Sequence, residues 1–145
     1  MLIGSVAASP RPTISFAAQG GVVVFVNRET PSDAEWAAYQ NAIESEGQLH
    51  GLVRILVVTE SGPPSPKQRQ QAGELAARIK CRTAVVTDSV VQRTVVTVFS
   101  WFAIDIKAFS SARMHDALSF LALSSTQCDW CLATVTRLKA ELSLC

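Results

Sequence analysis

From Gly21 to about Leu123 the chain alternates short β-branched runs with stretches of helical spacing, and the pair recurs four times. The runs are Val22-Val23-Val24-Phe25-Val26, Val53-Arg54-Ile55-Leu56-Val57-Val58, Thr83-Ala84-Val85-Val86 and Ile106-Lys107-Ala108-Phe109. Each is four to six residues, the length of a strand. Strands that alternate with helical patterns predict an α/β fold: a mixed, mostly parallel β-sheet with helices packed on it. Thr13-Ile14-Ser15-Phe16 alternates polar and apolar before a turn at Gln19-Gly20-Gly21. A parallel return needs a crossover of about a dozen residues, so this strand and the Val22 run form an antiparallel N-terminal hairpin.

The intervening stretches carry helix signals. Thr30-Pro31-Ser32-Asp33 predicts a start with Thr30 as cap, Pro31 at the first helical position and Asp33 near the positive end. Trp36, Tyr39, Ala42 and Ile43 then share a face. Ser65-Pro66-Lys67-Gln68 reads as a capping box, followed by an inward stripe of Ala72, Leu75, Ala76 and Ile79. Asp88 or Ser89 should cap a third helix that is apolar nearly all round through Val90, Val91, Val95, Val96, Val98, Phe99, Trp101 and Phe102. Such a helix is sandwiched or presents an adhesive face. Ser110 is the expected cap of a fourth helix with the stripe Met114, Ala117, Leu118 and Leu121. A fifth follows Ser124-Ser125-Thr126, with Cys131, Val135, Leu138 and Leu142 aligned. The organisation read from this is an arm over 1–12, one domain over 13–123 and an extra amphipathic C-terminal helix over 124–145. The third or fifth helix could supply the contact of a homodimer.

Composition narrows the classes. The chain has 145 residues, 48% of them hydrophobic and 17% charged, which suits one folded domain with a sizeable core. A net charge of +1 argues against nucleic acid or an anionic lipid surface as partner. The basic cluster Arg78, Lys80 and Arg82 reads as a complement to a helix C-terminus. No apolar run approaches the roughly 20 residues that span a bilayer, and Met1 to Ser9 lacks the charged start of a signal segment. A cytoplasmic location without stable membrane insertion is the expectation. Four scattered cysteines fit reduced thiols rather than a disulfide scaffold.

Little in the sequence specifies chemistry. Cys128-Asp129-Trp130-Cys131 has the Cys-x-x-Cys spacing, but it has no second such motif and no strand before it. Two buried thiols on one side of a helix are the plain reading. His50, placed in the loop before the third strand, and His115 are isolated, so no metal is expected. Neither a Gly-x-Ser-x-Gly elbow nor a Gly-rich phosphate loop occurs, so neither an enzyme nor a cofactor is expected. Trp36, Trp101 and Trp130 read as core anchors.

The order hairpin, helix, strand, helix, strand, helix, strand, helix resembles the STAS domain over about residues 13–123, with the spacing from Thr83 to Leu123 the nearest match. That family includes the SpoIIAA-like anti-sigma factor antagonists and the cytoplasmic domains of sulfate transporters. The resemblance implies a regulatory protein-interaction module with a protein partner. It also implies a phospho-acceptor serine in an Asp-Ser-Ser-Gly type turn between the third strand and second helix. Thr59-Glu60-Ser61-Gly62 stands at that place, making Ser61 the candidate acceptor. Glu60 replaces the first serine, Pro63-Pro64 follows, and Ser65 takes the capping position. The candidate interaction surface is Thr59, Glu60, Gly62, Ser65, Asp88, Ser89 and Arg93, grouped because open α/β sheets place sites at the carboxyl ends of their strands. Phosphate there would add about −1.5 to −2 charges beside a helix N-terminus. The plain reading is that Ser65 caps and Ser61 fits a turn. SpoIIAA-like sequences also resemble lipid-transfer domains of the Sec14 type. This implies an alternative, a carrier of a small apolar ligand or lipid, with Val95, Phe99 and Phe102 in the pocket wall.

Overall fold

Side-chain alternation along the strands decides how the molecule is layered. A computed structural model describes residues 12–100 and 105–144, without the side chains of 95, 97–100 and 144. Strands β1 (Ile14–Gln19) and β2 (Val22–Asn27) form an antiparallel hairpin whose turn, Gly20-Gly21, has φ of +58° and +83°. Two positive φ values in succession are what a tight turn between right-twisted strands requires, and glycine adopts them without strain. Strands β3 (Leu52–Thr59), β4 (Lys80–Val86) and β5 (Ile106–Phe109) follow in that spatial order, each parallel to the one before it, with β3 parallel to β2. The fold is α/β, with a mixed five-stranded sheet and helices on both faces.

Successive side chains of a strand point to opposite faces. Val22, Val24 and Val26 of β2, Leu56 and Val58 of β3, and Ala84 and Val86 of β4 belong to one core. It is closed by α4 (Met114–Phe120) through Ala117 and Leu118, and by α5 (Ser125–Leu144) through Cys131, Val135, Leu138 and Leu142. Those four α5 residues are 0–6% exposed, so the C-terminal helix is a full wall of this core. Val23 and Phe25 of β2 and Val53 and Ile55 of β3 belong to a second core. Trp36, Tyr39 and Ile43 of α1 (Asp33–His50) and Leu75 of α2 (Pro66–Arg78) pack on it. Helix α3 (Val90–Ser100) packs beside β5 and buries Gln92 and Val96.

Helix starts differ from expectation where a reciprocal pair outcompetes a single cap. Ser32, not Thr30, caps α1: Ser32 Oγ accepts from Glu35 N at 3.1 Å, and Glu35 Oε1 accepts from Ser32 N at 3.1 Å. Two orphan donors are satisfied at once, which a proline at the first position cannot match. Glu35 also receives Thr13 N at 2.9 Å, tying the start of β1 to α1. His50 ends α1 rather than lying in the following loop. Ser65 and Gln68 do form the expected capping box of α2. Ser110 makes no capping bond at the 3-10 turn Ser111–Arg113. Asp88, from the β4–α3 loop, does that work by accepting from Ser111 N at 2.9 Å and from Ser111 Oγ at 2.7 Å. Ser89 Oγ accepts from Gln92 N at 3.2 Å and so caps α3.

The strand β4 starts at Lys80 rather than Thr83, so only Arg78 stands at a helix C-terminus. Arg78 pairs with Glu44 at 2.6 Å. Arg82 pairs with Asp105 at 2.8 Å, donates to Phe120 O and lies over the Phe120 ring. Of the apolar α3 positions, Val96 is buried, whereas Val90 and Val91 are 67% and 71% exposed. The side chains of Val95, Val98 and Phe99, and residues Trp101 and Phe102, lie outside the described residues. Among the described residues no helix is long and apolar enough to cross a membrane.

Because α5 completes a core rather than decorating it, Leu138→Ala should cost about 2–5 kcal/mol, the range for a leucine lost from a packed interior. Urea unfolding followed by circular dichroism measures this. A loss under about 1 kcal/mol would mean that α5 is peripheral.

Candidate functional site

The strands β2, β3 and β4 run in one direction, so Asn27, Thr59 and Val86 end at the same edge, with Asn27 opposite Thr59 and Val58 opposite Val86. The loops 28–32, 60–65 and 87–89 therefore share a rim. Asn27, 3% exposed, organises two of them. Its Nδ2 donates to Glu29 O at 2.9 Å, Ser61 O at 3.2 Å and Gly62 O at 2.8 Å. Thr30 Oγ1 donates to Pro63 O at 2.8 Å, and Ser61 Oγ donates to Arg28 O at 2.5 Å. The loops lie so close that a Cβ on Gly62 would stand 2.1 Å from Glu29 C, and Gly62 has φ of +84°. Only glycine meets both conditions.

The candidate surface residues are largely spent on building this rim. Thr59 is buried, and its Oγ1 donates to Ser61 O at 3.3 Å. Glu60 is exposed, and its backbone N–H donates to Asn27 O at 3.3 Å. Ser65 caps α2. Ser61 is exposed, but its hydroxyl is turned to the Arg28 carbonyl and not into the first turn of α2, where Ser65 and Gln68 occupy the capping positions. Asp88 leaves the same sheet edge, and its two bonds from Ser111 hold its carboxyl below the usual range. Arg93, in the first turn of α3, donates to Thr87 O at 3.4 Å.

Behind the rim lies a cavity of about 160 Å³ between the sheet and α1, α2 and α3. Its floor is the face of the second core: Phe25, Ile55, Val57, Thr83, Val85 and Ile106. Trp36, Tyr39 and Ile43 of α1, Ala72, Leu75 and Ala76 of α2, and Gln92 and Val96 of α3 form the roof. At the rim end it is lined by Asn27, Thr59, Gly62, Pro63, Pro64 and Arg69. The rings of Phe25, Trp36 and Tyr39 form a continuous aromatic wall, with centroids 4.4–6.3 Å apart. Val95, Phe99 and Phe102, expected in the wall, lie outside the described side chains, and Gln92 and Val96 represent α3 there. Ala72 and Ala76 lie on the inward stripe of α2, and two small residues facing the sheet leave room.

Two titratable groups of the wall, Tyr39 and Cys81, are held neutral, whereas Arg69 and Asp105 carry charge at its edges. Burial pushes the Cys81 thiol up to about 11, and burial, then the neighbouring Cys81, raises the Tyr39 phenol above its ordinary value. On the opposite side of the sheet burial, then Cys128, pushes the Cys131 thiol up to about 12. Thiols held protonated are poor nucleophiles and poor metal ligands. Among the described residues no group of three or more His, Cys, Asp or Glu side chains could hold a metal ion.

Comparison with known proteins finds no match to a family model, to a curated protein or to a solved structure.

Two glycines should respond to alanine with opposite signs. Gly62→Ala forces a left-handed backbone on a residue with a Cβ, at about 1–3 kcal/mol, and adds a clash with the Glu29 backbone. Gly73→Ala, inside α2 with nothing within 4 Å, should stabilise by about 0.5–1 kcal/mol. Chemical denaturation of both variants checks this, and equal effects would contradict the rim geometry.

Proposed function

We propose that this protein is a small-molecule-binding module that takes an apolar ligand between its sheet and the helices α1, α2 and α3. One observation carries the reading: the cavity of about 160 Å³ walled by Phe25, Trp36, Tyr39, Ile55 and Leu75. Protein interiors are ordinarily packed with few voids larger than a water molecule, so room of this size beneath three helices is a cost to the fold. A mostly apolar hollow with a few polar groups at one end is the usual form of a ligand site. The STAS-like and Sec14-like element order is compatible with this role. Native mass spectrometry of protein freshly purified from its own host tests it. The expected result is a mass excess of a small molecule that denaturation removes. Clean apoprotein, together with no change in melting temperature across a panel of small apolar compounds, would contradict it.

A second reading is favoured by the rim. Val90 and Val91 stand exposed next to Asp88 and Ser89, on the same edge as the 60–65 loop. An exposed apolar pair on the same sheet edge as exposed Glu60 and Ser61 suits a regulatory protein partner, as for an anti-sigma factor antagonist. Phosphate on Ser61 would act by repulsion, because its oxygens only accept and cannot keep the bond to the Arg28 carbonyl. Ser61→Asp should then loosen the 28–32 and 60–65 loops and weaken partner capture. Intact-mass analysis of host-derived protein would show the modification, and an unmodified Ser61 with a silent Ser61→Asp would end this reading.

A further inference from the structure

Two charged side chains line the cavity, and they differ in what holds them. Asp105 is paired with Arg82 at 2.8 Å. Arg69 makes no ion pair among the described residues; its Nη1 donates to Pro64 O at 2.8 Å, and Pro64 lines the cavity as well. The other guanidinium nitrogens, Nε and Nη2, have no partner among those residues either, yet they are not buried. Among the described residues only Asn27 Oδ1 and Trp36 Nε1 are buried side-chain polar atoms without a hydrogen bond. A guanidinium carries five N–H donors in a fixed fork, so Arg69 keeps most of its donors free for a second group.

The two charges stand at opposite ends of the hollow. Ile106 is level with Ile55 across β4, and Thr59 at the rim lies four residues beyond Ile55, about 13 Å at strand spacing. Asp105 is therefore at the far end from the rim, where Arg69 and Pro64 belong. Size and charge then limit the occupant. A cavity of about 150 Å³ accepts benzene, so about 160 Å³ suits an apolar body of about six to nine non-hydrogen atoms, far short of a membrane lipid with its full chains. A charge placed among Phe25, Ile55 and Leu75 would shed its water without recompense, whereas at the rim it keeps part of that water and meets Arg69. Exposed Glu29 and Glu60 belong to the rim loops, which disfavours a doubly charged phosphate and favours a single negative charge. A carboxylate supplies one charge and two oxygens that match the guanidinium fork. Resting on the reading of the cavity as a ligand site, we propose that its ligand is a compact monocarboxylic acid whose apolar body fills the cavity and whose carboxylate is held at the rim by Arg69.

A matched pair of probes tests this. Phenylacetate and phenylacetamide have nearly the same shape, and only the first is charged. Titrated into the full chain at neutral pH and low salt, with calorimetry or ligand-observed NMR as readout, phenylacetate should bind about tenfold tighter, a margin that shrinks as salt is added. Arg69→Met keeps an unbranched apolar side chain on α2 and removes the charge, so the two probes should become equal. Ala72→Leu fills the cavity and should weaken both at least about tenfold. In the unmutated protein the side-chain Nε–H resonance of Arg69 should move with phenylacetate and stay with phenylacetamide, a readout that needs no variant to fold. Equal binding of both probes, weakened alike by Ala72→Leu, would overturn the acid and leave the ligand site standing. A preference for phenylacetate that survives Arg69→Met would overturn the part given to Arg69. Acetate bound as tightly as phenylacetate would show that the apolar body contributes nothing and overturn the proposal. Absence of saturable binding by every probe would remove the proposal together with the site.

Discussion

The Asn27 side chain holds the rim at the carboxyl ends of β2 and β3 in shape. It terminates a run of five apolar β2 residues and is almost fully buried, a position where an uncompensated amide would cost several kcal/mol. Three carbonyls from two different loops meet its Nδ2, so the β2–α1 and β3–α2 connections are set as one unit. The close approach at Gly62, the Ser61 bond to Arg28 O and the Thr30 bond to Pro63 O all require that unit. Gln68 extends it: while its Oε1 closes the α2 capping box, its Nε2 donates to Pro31 O at 2.7 Å. The first turns of α1 and α2 are thereby held at a defined distance from each other and from the sheet.

That spacing explains an asymmetry between the two faces. On one face α4 and α5 bring Leu118, Leu121, Leu138 and Leu142 onto Val22, Val24 and Leu56, and these side chains are 0–4% exposed. On the other face the roof over the centre of the sheet includes Ala72 and Ala76 of α2, and the hollow stays open between them and Ile55, Val57 and Thr83. One face is organised for stability, and the second gives up packing for space. The rim loops that Asn27 joins are also the end wall of that space, so a ligand in the cavity and a partner at the rim would read the same pair of loops.

Much of the layering is legible in the amino-acid sequence, because it depends on local periodicity. The Val22 and Val53 runs and Ile106–Phe109 are strands, and the spacing of Cys131, Val135, Leu138 and Leu142 gives a helix face that is buried. Ser65 and Gln68 cap as their spacing implies. The misreadings have physical causes. Ser32 and Glu35 carry the same reciprocal capping signal as Ser65 and Gln68, yet Pro31 draws attention to Thr30. Lys80 and Arg82 look unlike strand residues, but Arg82 is accommodated by Asp105 and the Phe120 ring, contacts remote in sequence. Asp88 replaces Ser110 as a cap because two loops meet in space. Asn27 looks like a strand end, and nothing local announces three carbonyls. The cavity is least legible of all, since an alanine on an inward stripe reports which way a helix faces and not how far from the sheet it sits.

The central claim is that the α1–α3 face, although it has a packed core, leaves a mainly apolar hollow between the sheet and its three helices. Diffraction from a crystal of the full chain pressurised with xenon tests it most directly, because xenon enters preformed apolar cavities without needing a polar partner. The account predicts a xenon atom between Ile55, Val57, Leu75 and Val96, with Phe25, Trp36 and Tyr39 unmoved. Helices α2 and α3 drawn down onto the sheet, with Leu75 and Val96 filling the space and no xenon bound, would contradict it.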